Sequence, residues 1–176
     1  MEKTKKKVNV RSICFIGLMA ALVFVFTFTF KVPVGAQGYT HLGDAFIFLA
    51  VWLIGGKKAS FASGLGAALA DLALGYTMWI VPTFIVKFLT AVVFALIAEG
   101  IFKRKLYGYA VGAVGAIAVH IGGYSLAWYI IGGKAGVISA IAPLTIQTLV
   151  GIALAAVLIG LLQTGGVGEK LRKMAE

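Results

Sequence analysis

The run from Ser12 to Phe30 carries no charged side chain, and its length constrains what the rest of the chain can be. A helix needs about 20 apolar residues to cross the hydrocarbon core of a bilayer. A secretory leader has a shorter apolar stretch of about 7–15 residues, so "MEKTKKKVNVRS" and the run after it read as a first membrane span. Comparable stretches follow, giving spans near 11–31, 42–55, 58–75, 82–102, 106–131 and 137–162. Only "GGKK" separates the second from the third. Charged residues make up 12% of the chain, against about 25% in a soluble domain, which is too few to coat a globular surface. The expected fold class is an all-α integral membrane protein, a single domain over 1–176 with six transmembrane helices. Residues 1–10 form a cytoplasmic basic tail and 163–176 a cytoplasmic C-terminal tail. Lipid offers backbone groups no water to bond, which selects helices, and these runs lack the alternating polarity of membrane strands.

The Lys and Arg residues fix the expected orientation. Lys3, Lys5, Lys6, Lys7 and Arg11 precede the first span, and Lys57 and Lys58 lie between the second and third. Lys103, Arg104 and Lys105 lie between the fourth and fifth, and Lys170, Arg172 and Lys173 follow the sixth. With six crossings all of these share one side, leaving Lys31 and Lys134 opposite and Lys87 inside a span. The positive-inside rule then places both termini in the cytoplasm. The formal net charge of +10 therefore signals topology, since no basic face with interleaved aromatics exists for a nucleic acid. The single cysteine, Cys14, cannot form an internal disulfide and reads as packing. Pro82 suits the first turn of the fourth span, while Pro143 predicts a kink or a late start in the sixth. Gly64, Gly112 and Gly115 belong to runs of small residues, which serve either close packing or a moving interface.

Polar residues within the spans fall at one depth. Asp44 stands near the outer end of span 2, and Asp71 about one turn below the outer end of span 3. Lys87 lies roughly 7 Å below Pro82, and His120 and Gln147 occupy the middle-to-outer parts of spans 5 and 6. Tyr124 and Trp128 share the face of His120 at i+4 and i+8. In the inner half only Glu99 is ionisable, and it reads as an ion pair with the nearby Lys103–Lys105 cluster. Intramembrane ionisable groups face the bundle interior and pair or bind. Asp71 and Lys87 either tie spans 3 and 4 together or touch a ligand; His120 is either a bonded core histidine or a ligand contact. Asp44 either caps span 2 or binds, and Trp79 is either an interfacial anchor or part of a binding wall. Together these residues line a polar chamber open to the outside and closed below by apolar helices. Aromatic walls with a few fixed donors and acceptors suit a small polar aromatic molecule. A through-channel would need a polar trail, which is missing from the inner halves. No metal-ligand spacing, Ser/His/Asp set or phosphate loop argues for an enzyme, and no cofactor is expected. Nothing in the chain would drive transport, and no internal repeat is visible, so a partner would supply the energy.

The stretch "YTHLGDAFIFLAVWLIGGKKASFASGLGAALADLALGYTMWIVPTFIVKFLTA" (39–91) resembles a known family. Its "LGDA", "GLGAALADLALGY" and "PTFIVK" are similar to the substrate-binding S components of energy-coupling factor (ECF) vitamin transporters. The likeness is to the branch with riboflavin-like and hydroxymethylpyrimidine- or pyridoxine-like members. The resemblance implies six helices binding a vitamin near the outer face of a bacterial plasma membrane. The loop between the first two helices, Lys31 to His41 here, would fold over the site and bend at Gly35 and Gly38. Tyr39 and His41 would face the ligand; Trp79, Tyr124 and Trp128 would stack its ring; Asp71, His120 and Gln147 would bond its substituents. A small-residue patch on helix 1, here Gly17 and Ala21 with Ala20 beside them, would meet a membrane-embedded T coupling protein. Two ABC-type ATPases would complete the transporter, and the S component would topple to carry its cargo inward. A hydroxymethylpyrimidine or B6 vitamer is the expected cargo, and riboflavin the alternative. A structural subunit or a stand-alone channel without such a ligand is the alternative of another class.

Overall fold

A computed structural model describes residues 10–34 and 38–175. The basic residues Lys3, Lys5, Lys6 and Lys7 and the expected hinge Gly35 lie outside the described residues. The first helix, α1, runs Val10–Thr29, and two short strands follow it. Strand β1 (Lys31–Val34) pairs antiparallel with β2 (Gly38–His41), Lys31 opposite His41 and Pro33 opposite Tyr39. The segment expected to be a lid is therefore a β-hairpin. Helix α2 (Asp44–Ile54) is buried at every residue. A helix apolar all round is an interior element, and at about 16 Å long α2 is too short to span the hydrocarbon alone. It sits at the centre of the bundle against α3 (Gly56–Leu74) and a long α5 (Leu106–Thr164).

Helix α3 closes at Gly75, whose φ of 80° lets the Tyr76 N–H bond back to the Asp71 carbonyl at 2.9 Å, a glycine-dependent stop. A 3₁₀ turn at Thr77–Trp79 leads into α4 (Ile80–Ala95), with Pro82 in its first turn as expected, and a π-helical turn follows at Leu96–Ile101. A Cβ at Gly64 would stand 3.0 Å from the Phe84 carbonyl and one at Gly112 3.0 Å from the Phe94 carbonyl. Both glycines let backbones touch, so close packing is their role here.

Helix α5 runs Leu106–Thr164, interrupted by non-helical geometry at Gly133 (φ 62°, ψ −159°). Straight, 59 residues would extend about 90 Å. Instead the chain reverses: Leu106 and Gln163, at opposite ends, line one cleft. The two arms, 106–132 and 134–164, correspond to the two spans read as 106–131 and 137–162. Pro143 neither starts nor breaks the second arm; the reversal comes ten residues earlier. Only a residue tolerant of positive φ can make that turn, and glycine is the natural one. The C-terminal segment, expected as a tail, forms a short helix α6 (Val167–Ala175). It packs back on the bundle, with the Ala175 carbonyl accepting from Lys58 Nζ and Ser12 Oγ.

On α1, Met19, Ala20, Val23 and Thr27 face inward. Ala20 lies so close to α3 that a Cβ at Gly66 would collide with its carbonyl. Ala20 therefore belongs to internal packing, which corrects its assignment to a partner surface. Gly17 and Ala21 do lie on the exposed face, as i and i+4 positions must share one side. Glu99 pairs with Arg104 at 2.7 Å and accepts from the Gly56 N–H at 3.0 Å, the end-of-span ion pair expected of it.

Candidate binding site

The first residue of α2 sets up the site. Asp44 reaches sideways into the bundle, where Lys87 of α4 bonds Oδ1. Its Oδ2 accepts from Gln147 Nε2 at 2.9 Å and lies 3.2 Å from His120 Nδ1. All four side chains are buried. A carboxylate and an ammonium can share a dry interior only when paired and bonded, and here the Lys87 ammonium and the Gln147 amide both donate to the carboxylate with the His120 ring beside it. Two expectations change accordingly. Asp44 does not cap α2, because Gly43 holds the cap position without a side-chain bond. The ion pair of Lys87 is with Asp44, joining α4 to α2, and not with Asp71.

Above this centre lies a cavity lined by Tyr39, His41, Asp71, Trp79, Thr83, Tyr124, Trp128, Leu144 and Gln147, with Gly38 at its edge. Trp79 and Trp128 meet with ring centres 4.8 Å apart, and Tyr124 lies 6.1 Å from Trp79. Trp79 is buried, so it belongs to the wall and not to a lipid-facing belt. Asp71 accepts from the Tyr39 hydroxyl at Oδ1. Its Oδ2 makes no hydrogen bond of normal geometry among the described residues, with the Thr83 hydroxyl as a neighbour. Tyr124 donates to Thr83 Oγ1 at 3.1 Å. One side of the cavity is thus aromatic, and the other offers a carboxylate, an amide and hydroxyls.

The hairpin closes the cavity and is latched at two points. One latch is the Tyr39–Asp71 bond; the other is Gln147 Oε1, which accepts from Thr40 Oγ1 at 2.8 Å and from the His41 N–H at 3.2 Å. Burial, with the Asp71 carboxylate beside it, pushes the Tyr39 hydroxyl well above its ordinary range, so it remains a donor. Burial, with the Lys87 ammonium near, lowers His41 to about 3 against the opposing pull of Asp44, so its ring is neutral at pH 7. The His41 Nδ1 accepts from the Gly43 N–H at 3.1 Å, which leaves the ring proton on Nε2. In this closed arrangement the free space is about 40 Å³. That is room for a water or two and well below the roughly 300 Å³ of a small-ligand pocket.

The residues expected to bind therefore separate into two layers. Tyr39, His41, Asp71, Trp79, Tyr124, Trp128 and Gln147 line the cavity, while Asp44, Lys87 and His120 stand behind it. Gln147 belongs to both, since one end of its amide holds the hairpin and the other holds Asp44. Thr83, Leu144 and Thr40 were not singled out in the sequence. Thr83 could have been, because it precedes Lys87 by one turn on the same helix face. Replacing Gln147 by alanine should release Thr40 and the His41 N–H together. The expected result is at least about tenfold faster amide exchange at residues 38–41, the loss of about 1.4 kcal/mol of protection. Unchanged exchange would show that the Tyr39–Asp71 latch alone holds the hairpin.

The sequence model for ECF-type riboflavin transporter S components matches residues 7–164 of the chain. The chain belongs to this family. Its members are membrane-embedded transporter subunits rather than enzymes, in keeping with the long apolar helices described above. The chain is 32% identical over 154 residues to a protein of Pyrococcus woesei described as an uncharacterized protein in gap 3'region, covering 86% of this chain and 95% of that one. It is 26% identical over 167 residues to the thiamine precursor transporter HmpT of Lactococcus lactis subsp. cremoris (strain MG1363), covering 94% of this chain and 95% of that protein.

Proposed function

We propose that this chain captures hydroxymethylpyrimidine or a vitamin B6 form from outside the cell and delivers it across the plasma membrane as the S component of an ATP-driven ECF transporter. The observation that carries this reading is the cavity under the hairpin. Two indoles and a phenol form its stacking wall, and Asp71 and Gln147 stand opposite as hydrogen-bonding groups. A pyrimidine or pyridine ring with amino and hydroxymethyl substituents has the matching faces and edges. The likeness to a thiamine precursor transporter favours the same class. Riboflavin is the second reading, favoured by the name of the family. Its three fused rings would require a larger displacement of the hairpin than a single ring, given the small closed space.

In this reading the two arms of α5 are separate crossings, six in all, the short α2 completing its crossing together with the hairpin that leads into it, and both termini are cytoplasmic. Energy comes from a T coupling protein and two ABC-type ATPases. A thermal-shift panel on the purified chain tests the cargo, with hydroxymethylpyrimidine, pyridoxine, pyridoxamine, thiamine, riboflavin and folate. A ligand of the folded state adds about 2.7 kcal/mol at a hundredfold excess over Kd. A shift with hydroxymethylpyrimidine or a B6 form supports the proposal, one with riboflavin transfers it to the second reading, and a folded sample unmoved by all six sinks both.

The exposed pair Gly17 and Ala21 on α1 is assigned to the T protein, because small residues let helices approach closely in lipid. Ala21→Trp should leave vitamin affinity within about twofold and cut uptake by the assembled transporter at least about tenfold, the cost of overpacking one helix contact. Retained uptake would move the contact elsewhere on the chain.

A further inference from the structure

A second and larger cleft, of about 560 Å³, opens at the opposite end of the bundle from the hairpin. Its floor is apolar, formed by Phe48 of α2, Phe94 of α4, and Ala113 and Ile152 from the two arms of α5. At one end stand two guanidinium groups, Arg104 and Arg172. The wall from Ile152 to Gln163 is about 16 Å long at 1.5 Å per residue. That is roughly half the 30 Å hydrocarbon thickness, the depth of one leaflet. A cleft greasy along its length and cationic at a single end has the polarity of an amphiphile. We propose that it holds an anionic phospholipid of the leaflet on the basic side of the protein, one acyl chain along the floor and the phosphate between Arg104 and Arg172.

Several features prepare the charged end for a phosphate. Arg172 lies 5.3 Å over the ring of Trp52, a cation–π contact that fixes the side chain while leaving its N–H donors available. Arg104 pairs with Glu99 through Nη2, one of several donor nitrogens on the guanidinium fork. With Lys103 and Lys105 adjacent, the rim stays positive after Glu99 is counted. Tyr109 also lines the cleft, its hydroxyl shielded from solvent and without a hydrogen-bond partner among the described residues. It is an unspent donor for an oxygen of the headgroup or glycerol backbone. The backbone here is unusual as well. The π-helical turn Leu96–Ile101 is followed by Lys103 and Arg104 at φ 48° and 63°, a region that residues with side chains seldom adopt. Such turns recur where function positions a side chain, and this one presents Arg104 to the cleft. Basic pockets between helices near a membrane surface commonly take anionic headgroups.

The test uses the full-length chain offered an equimolar mixture of phosphatidylglycerol and phosphatidylethanolamine, with retained lipid read by native mass spectrometry. Phosphatidylglycerol should be retained about tenfold in preference, and the preference should fall to near parity in an R104Q/R172Q variant. A second variant, Ala156→Trp, keeps both charges and fills the cleft from an exposed position; it should lose the phosphatidylglycerol adduct. Equal retention of the two lipids by the unaltered chain overturns the proposal, as does retention of neither, which would give the cleft to a protein contact. A preference that survives in R104Q/R172Q also overturns it, because the charge would then reside elsewhere. Should that variant fail to fold, Ala156→Trp decides alone, and continued phosphatidylglycerol binding by it overturns the site.

Discussion

Replacing Lys87 by methionine should lower the stability of the fold by about 3–5 kcal/mol, the cost of stranding a buried charge. The Lys87 side chain is fully buried, and its ammonium bonds the Asp44 carboxylate. Methionine fills nearly the same volume, so packing changes little and the electrostatic consequence is isolated. Asp44 would keep only Gln147 and His120 around it, and must either draw a proton or bring one onto the imidazole. Against a total stability of about 5–15 kcal/mol for a folded domain, such a loss is large. The Asp44→Asn and Lys87→Met double variant removes both charges and should recover more than half of the deficit. Unfolding in detergent, followed by circular dichroism across both single variants and the double, measures the coupling. A loss below about 1 kcal/mol for Lys87→Met would mean that the pair is hydrated and not a dry centre.

Truncating Trp128 to alanine should weaken vitamin binding by about 1–3 kcal/mol, or roughly 5- to 150-fold in Kd. Trp128 forms one side of the cavity and supports Trp79, 4.8 Å away. Its removal takes away a stacking surface and loosens a second. Trp128→Phe keeps a ring and should recover most of the affinity, which separates stacking from simple filling of space. Isothermal titration well below the unfolding temperature keeps the lost core packing out of the comparison. Affinity unchanged in the alanine variant would place the ligand away from the indoles and remove the aromatic wall from the proposed mechanism.

Helix positions and the depth of the polar residues were largely legible in the sequence, while their partners were not. Asp44, Asp71, Lys87, His120 and Gln147 gather toward the hairpin end of the bundle because each lies a countable number of residues from a helix end, and the structure sets them there in two layers. Nothing in that count says that Lys87 turns to Asp44 while Asp71 turns to Tyr39. The choice depends on how each helix is rotated about its axis, and a residue's rise carries no information on that. The hairpin was expected only as a loop. Its strands have four residues each, too few for an alternating pattern to stand out beside a long apolar helix. The reversal in α5 was placed in the right interval, yet Pro143 drew attention that belonged to Gly133. Proline is tolerated in membrane helices where neighbours satisfy the freed carbonyl, whereas the positive φ of a reversal calls for glycine.

The sequence by itself determined the membrane class and the gathering of the buried polar groups toward one end of the bundle. Those are sums over neighbouring residues, since hydropathy, charge and helical rise accumulate locally along a chain. The tertiary structure decided which donors surround Asp44, that Gln147 joins the hairpin to the buried charge, and that Ala20 turns inward while Gly17 and Ala21 turn out. These outcomes depend on contacts between residues far apart in the chain, Gln147 and Asp44 being separated by 103 positions. At hydrogen-bond distances, a rotation of one helix by a single residue, about 100°, would replace every one of those partners.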